Sequence, residues 1–283
     1  LLTLVNIRKK YVICLLSHVS ILFTESRLGN MTLKNRFVRS ATWKLYDIYE
    51  ELAQGEVGLI VTGYANIVEE EKPNAGMMGM YNDSFIDEYK KLTDLVHRYD
   101  SKIVMQLAYG GTKTTYNVGE RVIFAPSAVA EKGTNTLGKA MTQDEIDYIV
   151  QALEIHAAHT YLINQFLSPY YNQRTDQYRK LVGNDFPILV KLTATEFFEG
   201  GQTFEETRII CKKLEQLGVD GIIVSGNIHG KADTMVGEKH DGYTIEAEGY
   251  FHQYGQVISQ EVSIPVITVG GLSDFSAIEE IAM

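Results

Sequence analysis

Seven short runs of apolar, largely β-branched residues, each separated from the next by a polar or helical stretch, constrain this chain more than any other feature. They are RFVRSAT (36–42), VGLIVTG (57–63), KIVMQLA (102–108), LEIHA (153–157), PILVKLT (187–193), DGIIVSG (220–226) and IPVITVGG (264–271). A strand with one wet face alternates apolar and polar residues. These runs do not, so both faces of each are expected to be covered, as in a parallel sheet with helices packed outside it.

The segments between the runs supply those helices. Ile86, Tyr89, Leu92, Leu95, Val96 and Tyr99 recur at helical spacing, which gives one apolar face. Thr142 with Glu145 and Thr203 with Glu206 have the spacing of a capping box, in which each side chain satisfies a free backbone donor of the other residue. Phe204, Ile209, Ile210, Leu214 and Leu217 give the helix after Thr203 a broad apolar face, and Gly218 is placed to end it.

No G-x-G-x-x-G turn follows the first run, which favours a (β/α)8 TIM barrel over an open doubly wound sheet. Seven runs are one short of eight, and Met283 falls in the helix after the seventh. The α/β barrel is therefore expected to be incomplete, its eighth strand absent and some helices shortened or missing. Residues 21–283 read as one barrel domain, and residues 1–20 as an unassigned N-terminal extension. The basic-then-apolar stretch IRKKYVICLLSHVSILF is too short to span a bilayer, which takes ~20 apolar residues. A net charge of -10 argues against a nucleic-acid partner. Only two cysteines, Cys14 and Cys211, occur, and neither has metal-ligand spacing, so a reducing, cytoplasmic compartment and no metal centre are expected.

Polar residues inside the apolar runs are the candidate site, because in a β/α barrel the reacting groups sit at the C-terminal ends of the strands. His156, His159 and Tyr161 fall within six positions where the fourth run should end. If the chain turns just after His156, all three can face one site, grip an oxygen and deliver a proton. A core histidine with a packing tyrosine, or a two-histidine metal site, are the alternatives from spacing alone. Gln106 and Lys191 interrupt otherwise apolar strands, and a buried amide and cation are costly without partners. A planar heterocycle with carbonyls and ring nitrogens would supply them; an internal pair of Lys191 with a carboxylate is the other reading. Gly270 and Gly271, followed by Ser273 at an expected helix start, have the form of a phosphate cradle.

Four stretches, LGNMTLKNRFVRSAT, GEVGLIVTGYA, IVMQLAYGG and EIHAAHTYLINQFLSPYYNQRTDQY, closely resemble the old yellow enzyme family of FMN-dependent oxidoreductases. GNDFPILVKLTATEFFEGG and IPVITVGGLSDF agree with it. The resemblance implies a TIM barrel that binds FMN and takes hydride from NADH or NADPH. It further implies transfer of that hydride to an activated alkene or a similar small molecule with an electron-withdrawing oxygen. On that basis Ser40, Ala41, Thr42 and Gly63 line the flavin, Gln106 reads its pyrimidine edge, and Lys191 faces its N1/O2 side. Gly270 and Gly271 hold the phosphate, His156 and His159 hold the substrate oxygen, and Tyr161 is the proton donor. The resemblance implies no membrane partner and admits a homo-oligomer. Tyr109 stands where the family often has histidine, and the helices expected before LEIHA and after Tyr178 are shortened. A non-catalytic, flavin-binding remnant of such an enzyme is the alternative function, and a metal-dependent barrel hydrolase using His156 and His159 is a third.

Overall fold

The computed structural model describes residues 20–40, 46–131, 134–157, 162–164, 187–195, 202–226, 249, 251–272 and 274–282, less the side chains of Tyr46, 153–157 and 162–164. The chain enters through a short antiparallel hairpin, β1 (Ser26–Leu28) and β2 (Met31–Leu33), turning at Gly29 with a positive φ of 55°. The strands of the barrel wall then follow: β3 (Val38–Arg39), β4 (Leu59–Asn66), β6 (Lys102–Ala108), β9 (Leu162–Asn164), β10 (Leu189–Thr193), β11 (Gly221–Ser225) and β12 (Val266–Thr268). They pair in chain order, every pair parallel, with a short strand β5 (Met78–Gly79) added alongside β4. Among the described residues no ladder joins β12 to β3.

Between the strands lie α1 (Tyr46–Gln54), α2 (Ile86–His97), α3 (Gln143–Ala157), α4 (Phe204–Gln216), α5 (His252–Glu261) and α6 (Phe275–Ala282). A small parallel pair, β7 (Phe124–Ala125) and β8 (Lys139–Ala140), braces the long excursion after β6. Both expected capping boxes are present: Glu206 N–H donates to Thr203 Oγ1 at 3.3 Å and Thr203 N–H to Glu206 Oε2 at 2.8 Å, with the Thr142–Glu145 pair alike. Gly218, with a φ of 85°, ends α4 as its sequence position implies. Ile209 does not join the apolar face of α4 but is 69% exposed. The buried line of that helix is Thr207, Cys211 and Leu214, and Ile209 lies about 200° around the axis from Thr207.

Strand alternation separates two cores. Outward residues such as Val190, Leu192, Ile222 and Val224 pack with Cys211 and Leu214 of α4 and Ile258 of α5. Inward residues Leu59, Val61, Val104, Leu189 and Ile223 pack on Leu28 and Leu33 of the hairpin, which plugs the N-terminal mouth. Burying each such leucine stabilises the fold by about 1.5–3 kcal/mol. Asp220 fastens this plug: its carboxylate accepts from Ile188 N–H at 2.7 Å and presses on Gly29, where a Cβ would come within 2.4 Å of it.

The fourth expected strand is corrected. Residues 153–157, including His156, continue α3, and the wall takes Leu162–Asn164 in their place. The physical reason is legible: Ile146, Ile149 and Val150 are buried at helical spacing, and Leu153 and Ala157 continue that spacing. From Gln143 to Asn164 no glycine or proline interrupts the chain, so a helix nucleated at the Thr142 cap has no reason to stop at Leu153.

Candidate active site

The inner face of the wall changes polarity along its height. Side chains two apart on a strand share a face, so the inward set runs from Val104 to Gln106, from Leu189 to Lys191 and Thr193, and from Ile223 to Ser225. The lower half, against the hairpin plug, is apolar, and the upper half, toward the C-terminal ends, is polar. Gln106 is 1% exposed, and its Oε1 makes no hydrogen bond. Leaving such an acceptor unpaired costs about 1–3 kcal/mol. Lys191 stands one inward position above the level of Gln106, because both Gln106 and Leu189 pair with Leu162. Burial drives its ammonium below the ordinary lysine range, and among the described residues it forms no ion pair. The alternative pairing of Lys191 with a carboxylate is therefore not seen among those residues. An unsatisfied acceptor and an uncompensated cation over an apolar floor make a site that fits a polar, electron-rich ring.

β4 approaches this site irregularly. Val61 pairs with Val104, and the next pairing is Tyr64 with Gln106, so Thr62 and Gly63 together oppose Met105. This is a β-bulge. It reverses the facing of the strand. Val61 faces inward, and after the extra residue Tyr64 does too, while Ala65 and its partner Leu107 join the outer core. Gly63, expected to line the site, is thus part of the bulge, and Tyr64 takes the inward place beside Gln106. The sequence signal was available, since a glycine inside an otherwise good strand marks a bulge.

Ser40 follows directly on β3 in the inward phase of Val38. Gly270 and Gly271 follow β12 with φ values of 101° and 64°, backbone conformations that glycine adopts without strain. At the start of the helix after them, Ala277 N–H donates to Asp274 Oδ1 at 3.0 Å. Ser273 lies outside the described residues, as do Ala41, Thr42, His159 and Tyr161. His156 is described by its backbone alone, in the last turn of α3, so the expectation that a strand delivers it to the site does not hold. Of the expected residues, the structure brings Gln106, Lys191 and Ser40 to the inner face.

A second polar cluster lies in the loops that follow β4 and β6. Glu71, in the loop after β4, is 2% exposed, and neither of its oxygens makes a well-formed hydrogen bond. Burial raises its carboxyl to about 7, only partly offset by the nearby Gly110 and Gly111 amides and the Arg121 guanidinium. Tyr109, packed against the outer core, has its phenol pushed up by burial and by Glu71. The cluster adjoins the inner face through Tyr64, whose phenol is raised by burial and by Glu71 and is hydrogen-bonded to Asn74. Among the described residues no group of three or more metal-ligating side chains is arranged to hold an ion, and no helix is long and apolar enough to cross a membrane.

Residues 21–179 match the NADH:flavin oxidoreductase / NADH oxidase family. The chain is 31% identical to an NADH oxidase of Thermoanaerobacter brockii over 94% of its own length, and it spans 47% of that relative, about half. Among solved structures it resembles 2-naphthoyl-CoA reductase, with a TM-score of 0.78 at 19% identity, covering 93% of this chain and 48% of that one. It also resembles an old yellow enzyme homologue from Zymomonas mobilis, with a TM-score of 0.68 at 18% identity, covering 91% and 83% of the two chains. These likenesses establish the α/β (β/α)8 fold.

Proposed function

The chain belongs to the NADH:flavin oxidoreductase / NADH oxidase family, that of the old yellow enzymes, and from that premise we propose that it is an FMN-dependent oxidoreductase passing hydride from NADH or NADPH to an activated alkene. The observation that carries this reading is the buried Gln106 carboxamide, its oxygen without a hydrogen-bond partner, on the polar half of the inner face, with the buried Lys191 one level above it. Bound FMN supplies the two-electron hydride chemistry; the protein supplies orientation and electrostatics.

Gln106 offers its unpaired carboxamide oxygen to the pyrimidine edge of such a ring. Lys191 offers a cation where negative charge grows on reduction, and that charge offsets the burial that otherwise disfavours the ammonium. The backbone amides of Gly270 and Gly271 suit the phosphate. Ser40, with Ala41 and Thr42, would line the ring from the end of β3, and the Gly63 bulge from the end of β4. His156 and His159 would hold the carbonyl or nitro oxygen of the acceptor, with Tyr161 as proton donor; these three roles rest on the family resemblance alone. Residues 21–283 would form this domain.

The experiment is a visible spectrum of the purified protein after incubation with FMN, followed by anaerobic NADH or NADPH and then an enone. A bound flavin spectrum that bleaches with the nicotinamide and returns with the enone is expected. A protein that stays colourless with FMN overturns the reading. One observation favours the second reading, a flavin-binding protein without turnover: α3 runs through 153–157, where the family resemblance calls for a strand. In that case the flavin spectrum is present, but the enone does not restore it after reduction.

A further inference from the structure

The bulge in β4 is held from outside the barrel. An extra residue in a strand leaves backbone groups without ladder partners, and here side chains take them. Gly63 N–H donates to Tyr49 Oη at 3.0 Å, and Tyr49, 3% exposed, comes from α1 on the outer side of the wall. Thr62 Oγ1 donates to the Gly63 carbonyl at 2.7 Å and accepts from Gln106 N–H at 3.3 Å. Tyr49 is itself fixed by Leu52, Ala53, Ile60 and Val96 in a closed apolar cluster. Its phenol lies beside the half-buried Arg39 of β3, and burial holds the phenol above the ordinary tyrosine range, so it stays neutral and able to accept.

The consequence is geometric. Were the same sequence paired without a bulge, alternation from the inward Val61 would send Tyr64 outward and Ala65 inward. With it, Tyr64 pairs with Gln106 on the inner face, and Ala65 packs outside with Leu107. The same Thr62 hydroxyl that closes the bulge also holds the backbone of Gln106, the residue whose carboxamide oxygen is left without a partner.

We propose that Tyr49 is a positioning residue for the flavin site: from the outer helix its phenol locks the Thr62–Gly63 bulge, which sets Tyr64 and Gln106 side by side on the inner face. Thr62 is its partner in this lock. The inference rests on the flavin reading above and adds to it two residues that touch no ligand.

The test uses Tyr49→Phe and Thr62→Val, each of which removes a hydroxyl and little else, and compares them with Leu214→Ala. That third variant opens a cavity in the outer core against α4, a different cluster from the one that holds Tyr49. Apoprotein of each is titrated with FMN by fluorescence quenching, and amide hydrogen exchange of Gly63 and Gln106 is followed without flavin. The lock predicts that Tyr49→Phe and Thr62→Val weaken FMN about tenfold, the equivalent of one lost buried hydrogen bond, and speed exchange at these two amides. Leu214→Ala, at equal loss of melting temperature, should do neither. Wild-type affinity in the two hydroxyl variants, or an equal loss in Leu214→Ala, overturns the positioning role while the flavin reading stands. Wild-type protein that binds no FMN overturns the flavin reading, and the positioning role with it.

Discussion

Glu71 makes a sharp test of the packing between the wall and the excursion after β6. Its carboxyl is raised from an ordinary 4.5 to about 7, with burial the first cause. A raised folded-state value means that the native protein holds this proton more tightly than the unfolded chain does. Stability is then fully present below the ordinary carboxyl range, is lost as pH rises through about 7, and is flat above. At about 1.4 kcal/mol per decade, the loss across that window is on the order of 3 kcal/mol. Glu71→Gln keeps the shape and cannot ionise. Urea unfolding of both proteins is measured at steps between about pH 4 and about pH 8. Other titrating groups are common to both, so the difference between the two curves isolates Glu71. That difference should move by about 3 kcal/mol in favour of the variant as pH rises. Parallel curves refute the reasoning, and would mean that the carboxylate is as well accommodated in the fold as in water.

Three further outcomes follow from the structure. Because burial lowers the Lys191 ammonium, binding an anionic flavin should raise it again; in the pH range between the two states binding then takes up a proton, and affinity falls as pH rises through that range. Calorimetry in buffers of different ionisation heat detects that uptake, and Lys191→Met should abolish it. Leu59→Ala removes a fully buried side chain from the packing against the hairpin plug. It should cost about 2–5 kcal/mol in denaturant unfolding, without shifting flavin absorption in protein that stays folded. Thr203→Ala removes the cap of α4 and should cost about 1 kcal/mol by the same assay.

What the sequence disclosed follows from how local each signal is. Six of the seven apolar runs form wall strands, because their continuous apolar character reflects burial on both sides. Gln106 and Lys191 stood out as polar residues that their strands alone could not explain, and both lie on the inner face. The run at 153–157 misled because a buried helix end and a buried strand share the same composition. The cap at Thr142 and the helical spacing from Ile146 were the stronger evidence there, and they set the outcome. The inward place of Tyr64 was hidden for another reason. One extra residue inverts the facing of everything after it, and only the pairing with β6 reveals where the inversion occurs. Tyr49 and Glu71 were invisible for a third: their partners lie across a helix–strand packing and between two loops, contacts that no spacing along the chain encodes.

The central claim is that the polar half of the inner face, through Gln106 and Lys191, holds FMN. Titrating FMN into apoprotein of the wild type, Gln106→Leu and Lys191→Met, followed by flavin fluorescence, addresses it directly. The account predicts saturable binding at one flavin per chain in the wild type, weakened in each variant. Absence of quenching in the wild type, or the same affinity in all three proteins, would contradict it.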